Sequence, residues 1–249
     1  MTSAERESRV TPYIRLMSFV GRVGARIFTR VDLVGAVDRI PRQGPLIIAG
    51  NHVSNADGVM LAGWLVPVLG RRIHWLAKRE MLEWPVLGHF VRAYSVHPVE
   101  RSGSDIEAFR VAERILRDGN ALIVFPEGTR SPDGTLQRAR QGLALLALRT
   151  GATILPVGIT GTAEVWPRGG KPRRGGPVTI TVGEPFRLAE VLDAGIDRKE
   201  LKATATDVIM RRIADLLPPG YRGAYAGSPS IRQGAPAEQT LEGPRPDPD

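Results

Sequence analysis

The chain of 249 residues contains no cysteine. That excludes disulfides, a thiol nucleophile, iron–sulfur clusters and cysteine-rich zinc sites. It says little of compartment, because a cysteine-free protein survives in either redox environment. Lysine is scarce: of 34 basic residues only Lys78, Lys171, Lys199 and Lys202 are lysine, and the rest are arginine. Genomic base composition produces such a ratio, and so does a preference for the planar guanidinium fork at phosphate groups. Aromatic residues make up 6% of the chain, and no basic run is interleaved with them, so no nucleic-acid partner is expected. There is no P-loop, no dinucleotide glycine fingerprint and no G-x-S-x-G elbow. Long apolar runs are missing too. The longest, "VMLAGWLVPVLG" at 59–70, falls short of the roughly 20 residues a helix needs to cross a bilayer. The opening "MTSAERESRVTPYIRL" has two glutamates and no apolar stretch before Tyr13, so no secretory signal is expected. These absences together predict a soluble or peripheral cytoplasmic protein.

What is present begins with a net charge of +8, which suits an anionic partner. Residues 12–30 predict an amphipathic helix. Arg15, Arg22, Arg26 and Arg30 share one face at helical pitch, with Tyr13, Met17, Val20, Ile27 and Phe28 across from them and Phe19 out of pattern. Such a helix either packs on a core with its basic side exposed or lies on an anionic membrane surface. Short apolar strands then alternate with helical patterns. Strands are expected at "VDLVGAV", "LIIAG", 72–78, 94–99, 121–125, "TILPVGI" and "VTITVG". Helices are expected at 57–69, from Ser104 to Gly119, at "GLALLALRTG", and from Asp197 to about Leu217. This alternation predicts an α/β fold, a single domain with a mostly parallel sheet flanked by helices. From Pro218 the composition shifts to seven prolines and five glycines in 32 residues, which predicts a disordered tail over 218–249. The boundaries are therefore 1–30 for the helical segment, 31–217 for the domain and 218–249 for the tail.

Four stretches carry polar residues that could do chemistry. "NHVSNADG" (51–58) follows the strand "LIIAG" and sets His52 five positions before Asp57. On a strand-to-helix turn at the carboxyl end of a sheet the two can meet, with His52 taking a proton and Asp57 holding its other ring nitrogen. The alternative is a turn in which Asp57 or Asn55 caps the helix. "FPEGTRS" (125–131) also ends a strand; Gly128 permits close approach, Thr129 and Arg130 are donors, and Glu127 is an acceptor. A β-turn with an incidental ion pair is the alternative. "LAKREMLEWPVLGHF" (76–90) and "PVER" add Lys78, Arg79 and Arg101, with Leu82, Trp84, Val86, Leu87 and Phe90 as core or as one wall of an apolar groove. "LPVGITGT" (155–162) reads as a buried strand turning through Pro156 and Gly158. The loop "RGGKPRRGGP" (168–177) is basic and glycine-rich, either a solvated loop or one that steers anions. His74, His89 and His97 show no metal spacing, and no metal site is expected.

The order of the four stretches is more specific than any one of them. It resembles the glycerolipid acyltransferase family, whose best-known members are the 1-acyl-glycerol-3-phosphate acyltransferases, and the resemblance runs from about Val31 to Gly183. Members of that family move an acyl chain from acyl-CoA or acyl-carrier protein to the hydroxyl of a glycerol phosphate. The resemblance implies His52 as general base and Asp57 as its orienting carboxylate. It implies Glu127, Gly128, Thr129 and Arg130 as the grip on the acceptor's glycerol phosphate, with Lys78 and Arg101 near the same phosphate and Pro156 helping to shape the acyl site. No cofactor is implied beyond the acyl donor. The expected acceptor is a lysophospholipid, 1-acyl-sn-glycerol 3-phosphate first, with glycerol 3-phosphate, another lysophospholipid or an amino-lipid as alternatives. An acyl thioesterase and a silent lipid-binding scaffold remain the readings from other classes. Two departures bear on the acceptor: Tyr94 and Ser95 stand where many members have a glycine, and Glu100 stands where many have aspartate. With no spanning segment, attachment is expected to be peripheral, at the inner face of the cell membrane, whose anionic surface is a further expected partner.

Overall fold

The computed structural model describes residues 10–78, 95–99, 105–193, 195–197 and 199–227. Among them, seven strands form one sheet in the order β1-β7-β6-β2-β5-β3-β4. The strands are β1 (Val31–Gly35), β2 (Leu46–Gly50), β3 (Ile73–Lys78), β4 (Val96–Val99), β5 (Ala121–Val124), β6 (Thr153–Thr160) and β7 (Val178–Val182). β2 lies between β5 and β6, and β6, β2, β5, β3 and β4 run parallel. Their carboxyl ends therefore share one edge of the sheet. The sheet is mostly parallel, as expected, and one pairing departs from the rest, where β7 runs antiparallel to β6. Their connection holds only the four-residue helix α5 (Thr162–Val165) and the loop that follows, with no crossover helix to bring the chain back in the same sense. β1 then pairs parallel with β7 at the sheet's outer edge.

Every residue of β2 is buried, which explains why "LIIAG" is apolar at each position rather than at alternate ones. Leu46 and Ile48 face a layer built from α1 (Pro12–Phe28) and α2 (Ala56–Leu69). Ile47 and Ala49 face the opposite layer of α3 (Asp105–Arg117), α4 (Gly142–Thr150) and α7 (Leu201–Asp215); the remaining short helix, α6, spans Leu188–Val191. α2 is apolar all round and mostly buried, the signature of a helix enclosed by its neighbours. Left-handed glycines Gly70 and Gly151 close α2 and α4.

α1 differs from the expected arrangement. It ends at Phe28, so Arg30 lies outside it. Its inward side buries Ile14 and Ser18 and packs Met17 and Phe28 on the core. Its outward side exposes Tyr13, Leu16, Phe19, Val20, Val23 and Ile27. Much of its apolar surface is thus left uncovered, with Leu16, Phe19 and Val23 extending the exposed apolar side toward the arginines.

The tail boundary moves as well. Pro219–Tyr221 and Gly223–Tyr225 form short 3-10 turns on the body. The Leu136 N–H donates to the Tyr221 carbonyl at 2.8 Å and the Ala224 N–H to the Leu136 carbonyl at 3.0 Å. Composition placed the break at Pro218, but two tyrosines among the prolines find partners in the second layer. Residues 228–249 lie outside the described residues.

Candidate active site

The site begins where β2 runs out of sheet. Asn51, buried, replaces a backbone rung: its amide accepts from the Ile159 N–H at 2.7 Å and donates to the Ile159 carbonyl at 2.9 Å. This fixes the chain as it leaves the strand. The next residue is His52, whose ring stacks on Phe125 with centroids 4.1 Å apart. Its Nδ1 lies 2.7 Å from Asp57 Oδ2. Asp57 sits in the first turn of α2, where the helix dipole favours a carboxylate. The same Oδ2 accepts the N–H groups of Val53 and Ser54, each at 2.7 Å, and Oδ1 accepts the Thr162 hydroxyl at 2.6 Å. The two readings of "NHVSNADG" thus merge, because Asp57 closes the turn and holds the histidine with one oxygen. Asn55 makes no side-chain cap; the Ser54 hydroxyl instead accepts the Ala56 N–H at 3.0 Å. The His52 side chain keeps 21% of its surface exposed while that of Asp57 has none, so a substrate can reach only the histidine. With Nδ1 donating to the carboxylate, Nε2 is the nitrogen left to take a proton.

The end of β5, next to β2, supplies the second half. Glu127 is buried, and both its oxygens are engaged by backbone. The His52 N–H donates to Oε1 at 2.6 Å and the Gln137 N–H to Oε2 at 2.9 Å. Burial pushes this carboxyl up to about 7, against the pull of the Gln137 and His52 N–H groups. Glu127 therefore ties the histidine turn to its own loop and has no oxygen free of partners. The Ser131 N–H, donating to the His52 carbonyl at 2.7 Å, makes a second tie. Gly128 takes φ +70°, and a Cβ there would stand 3.1 Å from Arg140 Cδ. Thr129 is exposed. Arg130 Nη1 is shielded from solvent yet has no acceptor among the described residues, a strong donor left unused by them.

Sequence reasoning named His52, Asp57, Glu127, Gly128, Thr129 and Arg130, and the sheet brings all six to one edge. Lys78 ends β3 at that edge, its Cα in register with Val99. Its side chain, Arg79, Arg101 and the apolar patch at Leu82, Trp84, Val86, Leu87 and Phe90 lie outside the described residues. Pro156 is inside the sheet, in register with Ala49, its carbonyl accepting the Gly183 N–H at 2.9 Å. Thr162, Ser54 and Asn51 escaped notice. Each was in view within a quoted stretch, but their partners stand 105, 112 and 108 residues away, and no local pattern marks such bonds. Among the described residues no group of three or more potential ligands could hold a metal ion.

Comparison with known proteins bears on this geometry directly. A family model described as Acyltransferase matches residues 33–160, just over half of the chain. The chain belongs to the acyltransferase family. The 1-acyl-sn-glycerol-3-phosphate acyltransferase of Cocos nucifera is 31% identical over 140 residues, 55% of this chain and 44% of that protein. The enzyme of the same name from Bacillus subtilis (strain 168) is 28% identical over 197 residues, 78% of this chain and 89% of that one. The chain spans about half the length of the plant relatives it matches, from 44% to 50%. In three dimensions it resembles the crystal structure of the 1-acyl-sn-glycerophosphate (LPA) acyltransferase, PlsC, from Thermotoga maritima. The TM-score is 0.64 at 27% identity, over 82% of this chain and 79% of that one. For this acyltransferase, then, the His52–Asp57 pair and the 127–130 loop lie at the adjoining ends of β2 and β5, within the span the family model matches.

Proposed function

We propose that this acyltransferase moves a fatty acyl chain from acyl-CoA or acyl-carrier protein to the free hydroxyl of 1-acyl-sn-glycerol 3-phosphate, giving phosphatidic acid. The observation that carries the reading is the His52 Nδ1–Asp57 contact at 2.7 Å, on a turn that Glu127 ties to the loop holding Arg130, whose shielded Nη1 has no acceptor among the described residues. His52 Nε2 takes the acceptor's hydroxyl proton. The alkoxide forms a C–O bond at the thioester carbonyl, the tetrahedral intermediate breaks its C–S bond, and the leaving thiolate takes the proton back from the imidazolium. Asp57 keeps the tautomer and stabilises the imidazolium. Arg130 grips the acceptor phosphate, with Gly128 and Thr129 allowing its approach and Lys78 and Arg101 adding charge nearby. Glu127 acts on binding through the loops it joins. No acyl-enzyme is needed, and no cofactor beyond the donor.

The acceptor is a lipid, and the outward face of α1 supports meeting it at a membrane. Six apolar residues point outward there, flanked by Arg15, Arg22 and Arg26, as in a helix lying at an anionic bilayer surface. No helix among the described residues is long and apolar enough to cross one. We place the protein on the inner face of the cell membrane, attached peripherally.

The test is thiol release from a long-chain acyl-CoA with and without lysophosphatidic acid, for wild type and His52→Ala. Release that requires the acceptor and vanishes in the variant supports the reading. Release at equal rate without acceptor would make the protein a thioesterase. No release with acyl-CoA or acyl-carrier protein, whatever the lysolipid, would leave a lipid-binding scaffold.

A further inference from the structure

The segment between α5 and β7, "WPRGGKPRRGGP" at 166–177, carries Arg168, Lys171, Arg173 and Arg174 and no acidic residue. It is a built element. The Trp166 indole N–H donates to the Gly170 carbonyl at 3.0 Å, and the Arg173 backbone N–H to the Val165 carbonyl at 2.8 Å. Arg173 Nε donates to the Glu164 carbonyl at 3.0 Å. Gly175 packs so closely that a Cβ there would stand 3.1 Å from the Val165 side chain. Four further bonds fix its place. The Ser54 hydroxyl, from the histidine turn, donates to the Trp166 carbonyl at 2.7 Å. Arg168 Nη1 donates to the Arg130 carbonyl at 3.2 Å. At the end of α1, the Gly175 N–H donates to the Phe28 carbonyl at 3.0 Å and the Thr29 hydroxyl to the Gly176 carbonyl at 2.6 Å.

Residues 168–174 are nevertheless all exposed, and among the described residues no ion pair engages any of these four cations. Four like charges within seven residues repel one another, and an anionic ligand removes that cost. The loop is sewn to the end of the helix whose apolar face is uncovered, and on its other side to the loop that carries Arg130. We propose that the 168–174 loop is a contact for the phosphate headgroups of anionic lipids, with Lys171 and Arg174, whose side chains make no hydrogen bond or ion pair among the described residues, as its principal cations. The proposal rests on the membrane reading above and adds a second, electrostatic point of attachment to the apolar one. A lipid phosphate drawn to the loop is delivered beside the Arg130 grip, so the loop also sets where an acceptor enters.

The experiment measures co-sedimentation with phosphatidylcholine vesicles, with and without phosphatidylglycerol, for three proteins: wild type, Lys171→Gln/Arg174→Gln and Leu16→Gln/Val23→Gln. Wild type is expected to prefer the anionic vesicles. The loop variant is expected to lose about thirtyfold of that binding, the effect of removing two basic residues from an anionic surface, and to match wild type on neutral vesicles, which also shows that it is folded. The α1 variant is expected to lose binding to both. Anionic binding kept by the loop variant while the α1 variant loses it overturns the loop proposal and leaves the membrane reading standing. A wild type that ignores both vesicles overturns the two together. A raised KM for acyl-CoA or acyl-carrier protein with a water-soluble acceptor, vesicle binding being unchanged, would assign the loop to the donor and overturn the proposal as well.

Discussion

Asp57 uses its two oxygens differently. Oδ2 gathers His52 and two backbone N–H groups, and Oδ1 takes the Thr162 hydroxyl. In Asp57→Asn the amide oxygen can still accept the three donors, and the new NH2 can donate to the Thr162 hydroxyl, so the turn survives while the charge is lost. Turnover is expected to fall by at least about a thousandfold with little change in KM, since an imidazolium next to a neutral amide is no longer stabilised. Steady-state kinetics decides, and an unchanged turnover number removes Asp57 from the mechanism. Thr162 acts only through Asp57, as a positioning residue. Thr162→Val leaves Oδ1 without its donor in a buried setting, a cost of about 1–3 kcal/mol. About a tenfold or larger drop in kcat at unchanged KM is expected, restored by Thr162→Ser, which keeps the hydroxyl. Failure of serine to restore it would make the threonine a packing residue only.

At the scale of elements, the site depends on how closely α2 lies over β3. Gly58, next to Asp57, is where they touch: a Cβ there would stand 2.4 Å from Trp75 Cζ3. Neither the ring, which is almost wholly buried, nor the helix backbone has room to retreat. Gly58→Ala is therefore expected to destabilise the fold by about 1–3 kcal/mol despite the better helix propensity of alanine, measured as a lower urea midpoint. An alanine variant as stable as wild type would mean that α2 tolerates a shift, and with it Asp57. The sequence places this glycine in the first turn of the 57–69 helix, but its packing role is invisible without Trp75. The same holds for α1. Its period was readable, but which apolar residues would meet the core and which would face outward depended on the packing of the helix against it.

For the whole molecule, two buried groups give stability opposite slopes with pH. Glu127 has its folded pKa raised by burial to about 7 from an ordinary 4.5. Between those values the folded state keeps a proton that the unfolded chain has released, so this group makes the protein less stable as pH rises through the window. His74, on β3 and 3.0 Å from His97 Nε2, has its pKa lowered to about 4, first by burial and then by His97, Arg72 and Arg71. Between about 6.5 and 4 the unfolded chain takes up a proton that the folded state refuses, so His74 costs stability as pH falls. Denaturant melts across pH 4–8 are expected to show a weaker loss above pH 5 in Glu127→Gln and a weaker loss below pH 6.5 in His74→Leu. Parallel curves for either variant and wild type would sink the corresponding assignment. The amino-acid sequence by itself determined the α/β alternation, the all-apolar central strand, and the position of His52, Asp57 and residues 127–130 after strand ends, because period and turn chemistry are local properties. Only the tertiary structure decided the antiparallel return of β7, the ordered turns past Pro218, the engagement of both Glu127 oxygens by backbone N–H groups of two segments, and the bond from Thr162 to Asp57. Each of these is a contact between segments distant in sequence, fixed by which strands become neighbours, and strand order leaves no mark on the residues of any single strand.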